Sequence, residues 1–178
     1  NNMTQYLLAA IPLLIFMASM LEKSGVIEEV FDVAYKWLGR IPGGLAVATV
    51  VASTVLAAMV GVIGAAVVTM ALVALPSMLR RGYSPVLAVG TVMAGGTLGI
   101  LIPPSVLAIV YGLVANQSVG ELYLGSVFPG LVLSGLYILF SVGYALLNPK
   151  AAPRLSPEET PTWSERWRAL RSIWSPLV

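Results

Sequence analysis

The feature that most constrains this chain is a stretch rich in glycine and proline inside one of its two longest charge-free regions. No residue between Arg81 and Glu121 is charged, and the hydropathy there predicts a membrane-spanning helix. Residues 95–105 nevertheless read Gly-Gly-Thr-Leu-Gly-Ile-Leu-Ile-Pro-Pro-Ser. Proline lacks the amide hydrogen that a helix needs and pushes the preceding residue out of the helical conformation, and glycine holds a helix poorly. We therefore predict a helix that breaks near the middle of the bilayer.

A helix broken at this depth indicates an ion or substrate site, because hydrocarbon tolerates broken backbone only where protein buries it or a polar cavity receives it. We expect the first half at residues 86–94 and the second half at residues 106–115. Carbonyl groups around residues 95–97 should end the first half and suit a small hard cation. Amides at residues 105 and 106 should begin the second half and suit an anionic group such as a carboxylate.

The composition places the chain in a membrane and argues against an enzyme. Hydrophobic residues make up 58% of the chain, charged residues 10%, and the mean hydropathy is +0.89. The sequence contains no cysteine and no histidine, and its apolar part contains no carboxylate apart from Glu121. No acid–base pair, metal cluster or nucleophile–base pair can therefore be assembled there. The basic residues suit membrane-facing loops rather than nucleic acid.

The basic residues predict the orientation of the chain. In the path that the hydropathy suggests, nine of the ten basic residues fall on one side of the membrane, which the positive-inside rule makes cytoplasmic. The segment between Arg40 and Arg80 must therefore return to the side on which it starts. The basic residues that define this side are Lys36, Arg40, Arg80, Arg81, Lys150, Arg154, Arg166, Arg168 and Arg171.

The segment from residue 45 to residue 79 carries no charge and is too short for two full crossings, which need about 40 residues and a turn. A re-entrant helical hairpin that turns at residues 61–64 (Gly-Val-Ile-Gly) fits this length. A kinked pair of short spans packed through small residues is the alternative.

The flanking segments complete the predicted path. Residues 6–21 are apolar and short for a span, and the absence of a methionine at position 1 suggests that the chain starts inside a larger protein. Residues 22–38 have the spacing of an amphipathic surface helix, with an ordinary solvated helix as the alternative. Residues 116–124 should form a short arm and residues 127–147 a full span. A hydrophilic linker at residues 150–171 should end in a helix at residues 164–170.

Three segments resemble the large membrane subunit (DctM-like) of tripartite ATP-independent periplasmic (TRAP) transporters. Residues 95–105 resemble that family's signature closely. Residues 39–46 (Gly-Arg-Ile-Pro-Gly-Gly-Leu-Ala) and 75–83 (Leu-Pro-Ser-Met-Leu-Arg-Arg-Gly-Tyr) are similar to the family as well. The resemblance covers nearly the whole chain and implies the N-terminal half of a subunit more than twice as long. It implies an all-α integral membrane fold, one inverted-repeat half of an elevator-type transporter.

The resemblance implies a transport domain that slides against a fixed scaffold. Residues 1–40 would hold a scaffold helix and an amphipathic arm helix. Residues 41–115 would form half of the transport domain, with the re-entrant hairpin at 45–79 and the broken helix at 85–115. Residues 116–148 would supply an arm and a scaffold helix, and residues 149–178 a cytoplasmic linker to the missing second half.

The resemblance also implies a sodium site between the hairpin turn and the broken helix. Carried over to this chain, it predicts sodium, the coupling ion, at Gly61, Gly64, Gly95 and Thr97, and no other cofactor. Many family members have serines at the hairpin turn; Val62 and Ile63 have no hydroxyl, so backbone carbonyls must supply more of the shell. The candidate sodium- or substrate-binding residues are Gly61, Val62, Ile63, Gly64, Gly95, Gly96, Thr97, Pro103, Pro104 and Ser105.

The implied function is sodium-coupled import of an organic acid by a multi-pass protein of the bacterial inner (cytoplasmic) membrane. A periplasmic solute-binding protein would deliver the acid, and a small TRAP membrane subunit and the missing C-terminal half would complete the complex in the lipid bilayer. C4-dicarboxylates, sialic acid, keto acids and other monocarboxylates all remain open as substrates. The alternative is a channel-like or other ion-transporter-superfamily protein that shares the hairpin and the broken helix.

Overall fold

The computed structural model describes residues 2–39 and 41–153, and every regular element within them is an α-helix. The prediction of an all-α fold is therefore confirmed for this part of the chain. Arg40 and the predicted linker beyond residue 153, with its helix at residues 164–170, lie outside the described residues. The helices are α1 (Asn2–Lys23), α2 (Val26–Leu38), α3 (Gly44–Val60), α4 (Ile63–Arg80), α5 (Pro85–Leu101), α6 (Val106–Ala115) and α7 (Val119–Leu147).

Two of these helices, α4 and α7, are long and apolar enough to cross a membrane, and up to four spans result if the bent pairs α1–α2 and α5–α6 each count as one. Helix α3 is apolar but has only 17 residues. It rises about 25 Å, which is less than the hydrocarbon thickness of about 30 Å. A leg of this length suits a re-entrant hairpin, whose depth in a bilayer stays a prediction.

Helix α2 has the amphipathic pattern expected from its sequence. Ile27, Val30 and Phe31 are buried, whereas Glu28 and Asp32 are exposed. The apolar side chains recur at the three- and four-residue spacing that aligns them along one face of a helix. That face packs mainly against α3, which attaches the arm-like helix to the centre of the described fold.

Glycine turns the chain between the two legs of the hairpin. Gly61 has a φ of 65°, a left-handed conformation that glycine adopts without strain, and Val62 is extended. Helix α4 begins at Ile63, so the turn contains two residues rather than the four that the sequence suggested. We call Gly61 and Val62 the hairpin tip.

Helices α3, α4 and α5 form the tightest part of the core. Small side chains such as Ala48, Ala52, Ala74 and Ala88 are fully buried between them. Without bulky groups at these positions, helix backbones can approach closely. Helix α5 consequently contacts both legs of the hairpin.

The broken helix is interrupted later in the chain than predicted. The expectation that its first half ends at Ala94 was wrong, because α5 continues to Leu101 and α6 begins at Val106. A glycine within a helix costs only about 1 kcal/mol relative to alanine, whereas a proline costs about 3 kcal/mol, so the prolines determine where the helix ends. The two halves meet at an angle of 41°. We call residues 102–105 the break.

Helix α7 is continuous where the sequence suggested an arm followed by a separate span. It contains Pro129, and its buried positions are Gly130, Ser134, Ser141 and Ala145. These positions recur every three or four residues or at multiples of that spacing, so they define one face of the helix. The same face contacts α3 and α5.

The segment that follows α7 returns to the start of α5. The backbone amide of Ser84 donates to the carbonyl of Ala151 at 2.9 Å, and Ala152 is buried. The guanidinium of Arg81 lies 4.6 Å from the centre of the Tyr35 ring, which joins the same turn to α2. The turn between α4 and α5, at residues 81–84, is thus connected to both α2 and the residues after α7.

Candidate functional site

The hairpin tip meets the break through backbone atoms. The amide of Val106 donates to the carbonyl oxygen of Gly61 at 3.3 Å. A β-carbon added to Gly61 would overlap the carbonyl oxygen of Pro104. The contact therefore requires glycine at position 61 for both its left-handed conformation and its lack of a side chain. The predicted neighbours Gly61, Pro104 and Ser105 do lie together.

Ser105 begins α6 and is almost completely enclosed, with 1% of its surface exposed. Its hydroxyl accepts a hydrogen bond from the amide of Ala108 at 3.4 Å, as expected of a serine N-cap. Its carbonyl accepts the amide of Ile109 at 3.3 Å and the hydroxyl of Tyr123 at 3.2 Å. Of the amides at residues 105 and 106 that were proposed for an anion, that of Val106 is therefore occupied by the carbonyl of Gly61.

Three glycines of α5 bring the helix close to the hairpin legs. A β-carbon on Gly95 would overlap the Ser53 hydroxyl of α3, and one on Gly96 would overlap the Val67 side chain of α4. The Gly99 position lies 3.9 Å from the backbone of Ile63, immediately after the tip. These glycines therefore serve close packing within a continuous helix, with Gly99 nearest to the tip.

The remaining candidates occupy different surroundings. Thr97 is exposed, donates its hydroxyl to the carbonyl of Ala94 at 2.7 Å and lies 3.4 Å from the Tyr137 hydroxyl of α7. A β-carbon added to Gly64 would meet no atom from another part of the chain within 4 Å, and Ile63 is exposed. The tip–break contact thus unites Gly61 with Pro104 and Ser105, while the Thr97 hydroxyl is directed to α7. The sodium assignment to these residues stays a prediction.

The chemistry available around the tip and the break is that of neutral oxygen atoms. Helix α5 ends at the break, and the last carbonyls of a helix lack partners within it and carry its partial negative charge. Among residues 2–39 and 41–153 there is no group of three His, Cys, Asp or Glu that could hold a metal ion. Carbonyl and hydroxyl oxygens without carboxylates suit a singly charged cation better than a divalent one.

Sequence reasoning missed the residues of α7 that contact this region. Besides the Tyr123 bond to Ser105, the hydroxyls of Ser134 and Thr54 lie 2.7 Å apart and connect α7 to α3. Hydroxyl residues in an apolar helix usually bond to their own backbone, so a single sequence gave no reason to choose these. Gly130 packs against Ile102 of the break, which the sequence pattern likewise did not indicate.

Comparison with known families gives one match over residues 1–178, to the model of the tripartite ATP-independent periplasmic transporter, DctM component. Two similar proteins are C4-dicarboxylate TRAP transporter large permease proteins. The one from Vibrio cholerae is 37% identical over 97% of this chain and 37% of its own length. The one from Pseudomonas aeruginosa is 36% identical over 97% of this chain and 40% of its own length.

A third similar protein is the ectoine TRAP transporter large permease protein of Halomonas elongata, which is 31% identical over 96% of this chain and 39% of its own length. The chain therefore spans about two fifths of the length of these relatives.

Proposed function

The chain belongs to the DctM family of tripartite ATP-independent periplasmic transporters, and from that premise we propose that it is part of a sodium-coupled importer of organic acids. The observation that carries the proposal is the backbone contact between the hairpin tip and the break, where Gly61 meets Pro104 and Val106. Broken backbone that packs against a second turn in an apolar chain is typical of ion and substrate sites in secondary transporters.

Sodium is the coupling ion in this proposal. The oxygens near the tip and the break belong to backbone carbonyls and hydroxyls, which match a hard monovalent cation. We assign it to Gly61, Gly64, Gly95 and Thr97. Gly61 meets the chain just beyond the end of α5, where the last carbonyls contribute its negative dipole, whereas Gly95 and Thr97 lie within α5. Sodium bound there would stabilise the packing of the tip against α5 and so link ion binding to the shape of the site.

The substrate in this proposal is a small organic acid. Two of the similar proteins are named for C4-dicarboxylates and one for ectoine, so proteins that share this N-terminal region differ in what they carry. A periplasmic binding protein, a small membrane subunit and the rest of the large subunit complete the proposed importer in the bacterial inner membrane.

We propose that the importer works by an elevator movement, with α3 to α6 moving relative to α1 and α7. The contrast between tight and loose packing supports this division. Helices α3, α4 and α5 share a core of buried small side chains, whereas an apolar cavity of about 600 Å³ lies between α5 and α7. Leu87, Ala94, Leu136 and Tyr144 are among its lining residues. A loosely filled boundary is easier to displace than a close-packed one.

The test is uptake by the full-length large subunit, reconstituted with its small subunit in liposomes and supplied with its binding protein. An inward sodium gradient should drive accumulation of radiolabelled acid above equilibrium, and an equal potassium gradient should not. The binding protein alone, added to empty liposomes, provides the background. A channel-like protein would instead equilibrate its solute without any sodium requirement, and that result would refute the proposal.

A further inference from the structure

Tyr123 forms a long-range hydrogen bond at the centre of the candidate site. Its hydroxyl, on α7, donates to the backbone carbonyl of Ser105, the N-cap residue of α6, at 3.2 Å. Its side chain also lines an apolar cavity of about 420 Å³ beside Pro104 and Ile109. The tyrosine thus contacts the break from α7, whereas the tip contacts it through Gly61.

The position of the α6 N-terminus depends on few bonds. Helix α6 has ten residues and is separated from α5 by the four residues of the break. Across that gap, its N-terminus is fixed to the tip by the bond from Val106 to Gly61 and to α7 by the bond from Tyr123 to Ser105. Loss of the Tyr123 bond would leave the bond from Val106 to Gly61 as the restraint between this N-terminus and the tip, and the carbonyl of Ser105 would be held less firmly.

We propose that Tyr123 is a positioning residue for the sodium site, acting through Ser105 on the distance between break and tip. The inference rests on the proposed function, because it concerns the ion that the tip and the break are proposed to hold. An oxygen shell binds its ion well only when its ligands are held within about 0.5 Å of the productive geometry. Tyr123 contributes to binding by holding those ligands and does not itself contact the ion.

The hydroxyl of Tyr123 is not needed to satisfy a buried backbone group. The Ser105 carbonyl also accepts the Ile109 amide at 3.3 Å, so it keeps one partner if the tyrosine hydroxyl is removed. A buried acceptor that retains one hydrogen bond avoids the large penalty of an unsatisfied group. Tyr123→Phe should therefore fold normally and lose only the restraint on the break.

The experiment compares the full-length subunit with its Tyr123→Phe variant in the same uptake assay. The sodium concentration for half-maximal uptake should rise about threefold to tenfold, the range that corresponds to one lost hydrogen bond, while the maximal rate at saturating sodium stays unchanged. Tyr111→Phe is the matched control, because Tyr111 lies on α6 with 59% of its surface exposed. It removes an equivalent hydroxyl and should leave the sodium dependence unaltered.

A second readout is the stabilisation of the purified subunit by sodium in detergent. Without sodium, Tyr123→Phe should remain folded, and it should need about threefold to tenfold more sodium than wild type for the same increase in melting temperature. An unchanged sodium requirement would overturn the inference, and so would unfolding of the variant without sodium, which would make Tyr123 a structural residue. Sodium-independent uptake by the wild type would instead reject the proposed function.

Discussion

The two contacts of the broken helix are built differently. The hairpin tip meets the break through main-chain atoms and depends on the absence of a side chain at Gly61. Helix α7 meets the broken helix through side-chain hydroxyls, Tyr137 with Thr97 and Tyr123 with the carbonyl of Ser105, and it meets α3 through Ser134 with Thr54. A backbone contact tolerates almost no substitution, whereas each hydroxyl can be removed separately. The difference indicates that the tip and the break act as one unit, to which α7 is joined by bonds that can be removed one at a time.

The contacts that α7 makes with the break and with α5 are of a kind that can break and form again. Gly130 of α7 packs on Ile102, and Ser134 and Tyr137 follow on the same face. Small residues allow close approach in a membrane, and interhelical hydrogen bonds there contribute only about 0.6 kcal/mol on average. Movement across this face would exchange a few weak bonds, whereas separation of the tip from the break would open a main-chain contact.

The largest expected effect is that of Gly61→Ala. The new methyl group would overlap the Pro104 carbonyl oxygen, and the alanine would have to keep a left-handed backbone conformation. Sodium-driven uptake by the full-length subunit should fall more than about tenfold, since overlap and strain together should exceed about 1.4 kcal/mol. Uptake and thermal unfolding of the same preparations measure this loss.

Gly82→Ala separates the two causes. Gly82 also has a positive φ, 77°, but a β-carbon added to it would lie 3.7 Å from the Pro153 side chain, which is an ordinary van der Waals contact. This control should lose only the roughly 1 kcal/mol of a left-handed alanine and keep most of its uptake. If both variants lost uptake equally, the close approach of the tip to the break would not be the essential feature.

Thr97→Val tests whether Thr97 belongs to the sodium site or to the contact with α7. As a sodium ligand, its hydroxyl should be required for tight binding, and the variant should raise the half-saturating sodium concentration by roughly threefold while expression stays intact. Tyr137→Phe is the matched control, because it removes the hydroxyl that faces Thr97 from α7. Equal effects of the two variants would place Thr97 in the α7 contact instead of the sodium site.

The sequence predicted what depends on local chemistry and missed what depends on tertiary contacts. Pro103 and Pro104 predicted where the helix ends, because a proline acts on the backbone next to it. The apolar spacing predicted α2, because it depends only on residues three and four positions apart. Gly95 and Gly96 stay helical because Ser53 and Val67 pack where side chains would otherwise lie. That compensation cannot be inferred from the glycines themselves.

The continuity of α7 has a similar origin. Residues 116–124 were predicted as an arm and residues 127–147 as a separate span, and Pro129 lies inside that span, where a proline costs about 3 kcal/mol. The adjoining Gly130 is buried against the break, and packing of this kind can offset the lost backbone bond. Tyr123 was likewise unidentifiable from sequence, because its partner is a backbone carbonyl 18 residues away.

A smaller effect is expected where α7 contacts α3. Thr54→Val and Ser134→Ala each remove one hydroxyl of the 2.7 Å pair, and their double-mutant cycle should yield a coupling of about 0.6 kcal/mol in thermal unfolding. Thr91→Val combined with Ser134→Ala provides the control, since the Thr91 hydroxyl donates to Leu87 of its own helix. Coupling in the control as large as in the pair would mean that the hydroxyls do not interact specifically.

The smallest effect concerns a contact of the mixed kind, in which a side chain bonds to backbone at the other end of α3. The buried Tyr83 hydroxyl accepts the amide of Leu45 at 3.3 Å, and burial raises the pKa of Tyr83 above its ordinary value of 10.0. Because the folded pKa exceeds the unfolded one, the folded state holds its proton longer, and stability should decline as pH rises beyond about 10. Tyr83→Phe should be slightly less stable at neutral pH and should lack this part of the alkaline decline, measured by thermal unfolding between pH 8 and 11. Identical alkaline profiles would show that Tyr83 is not the group that titrates.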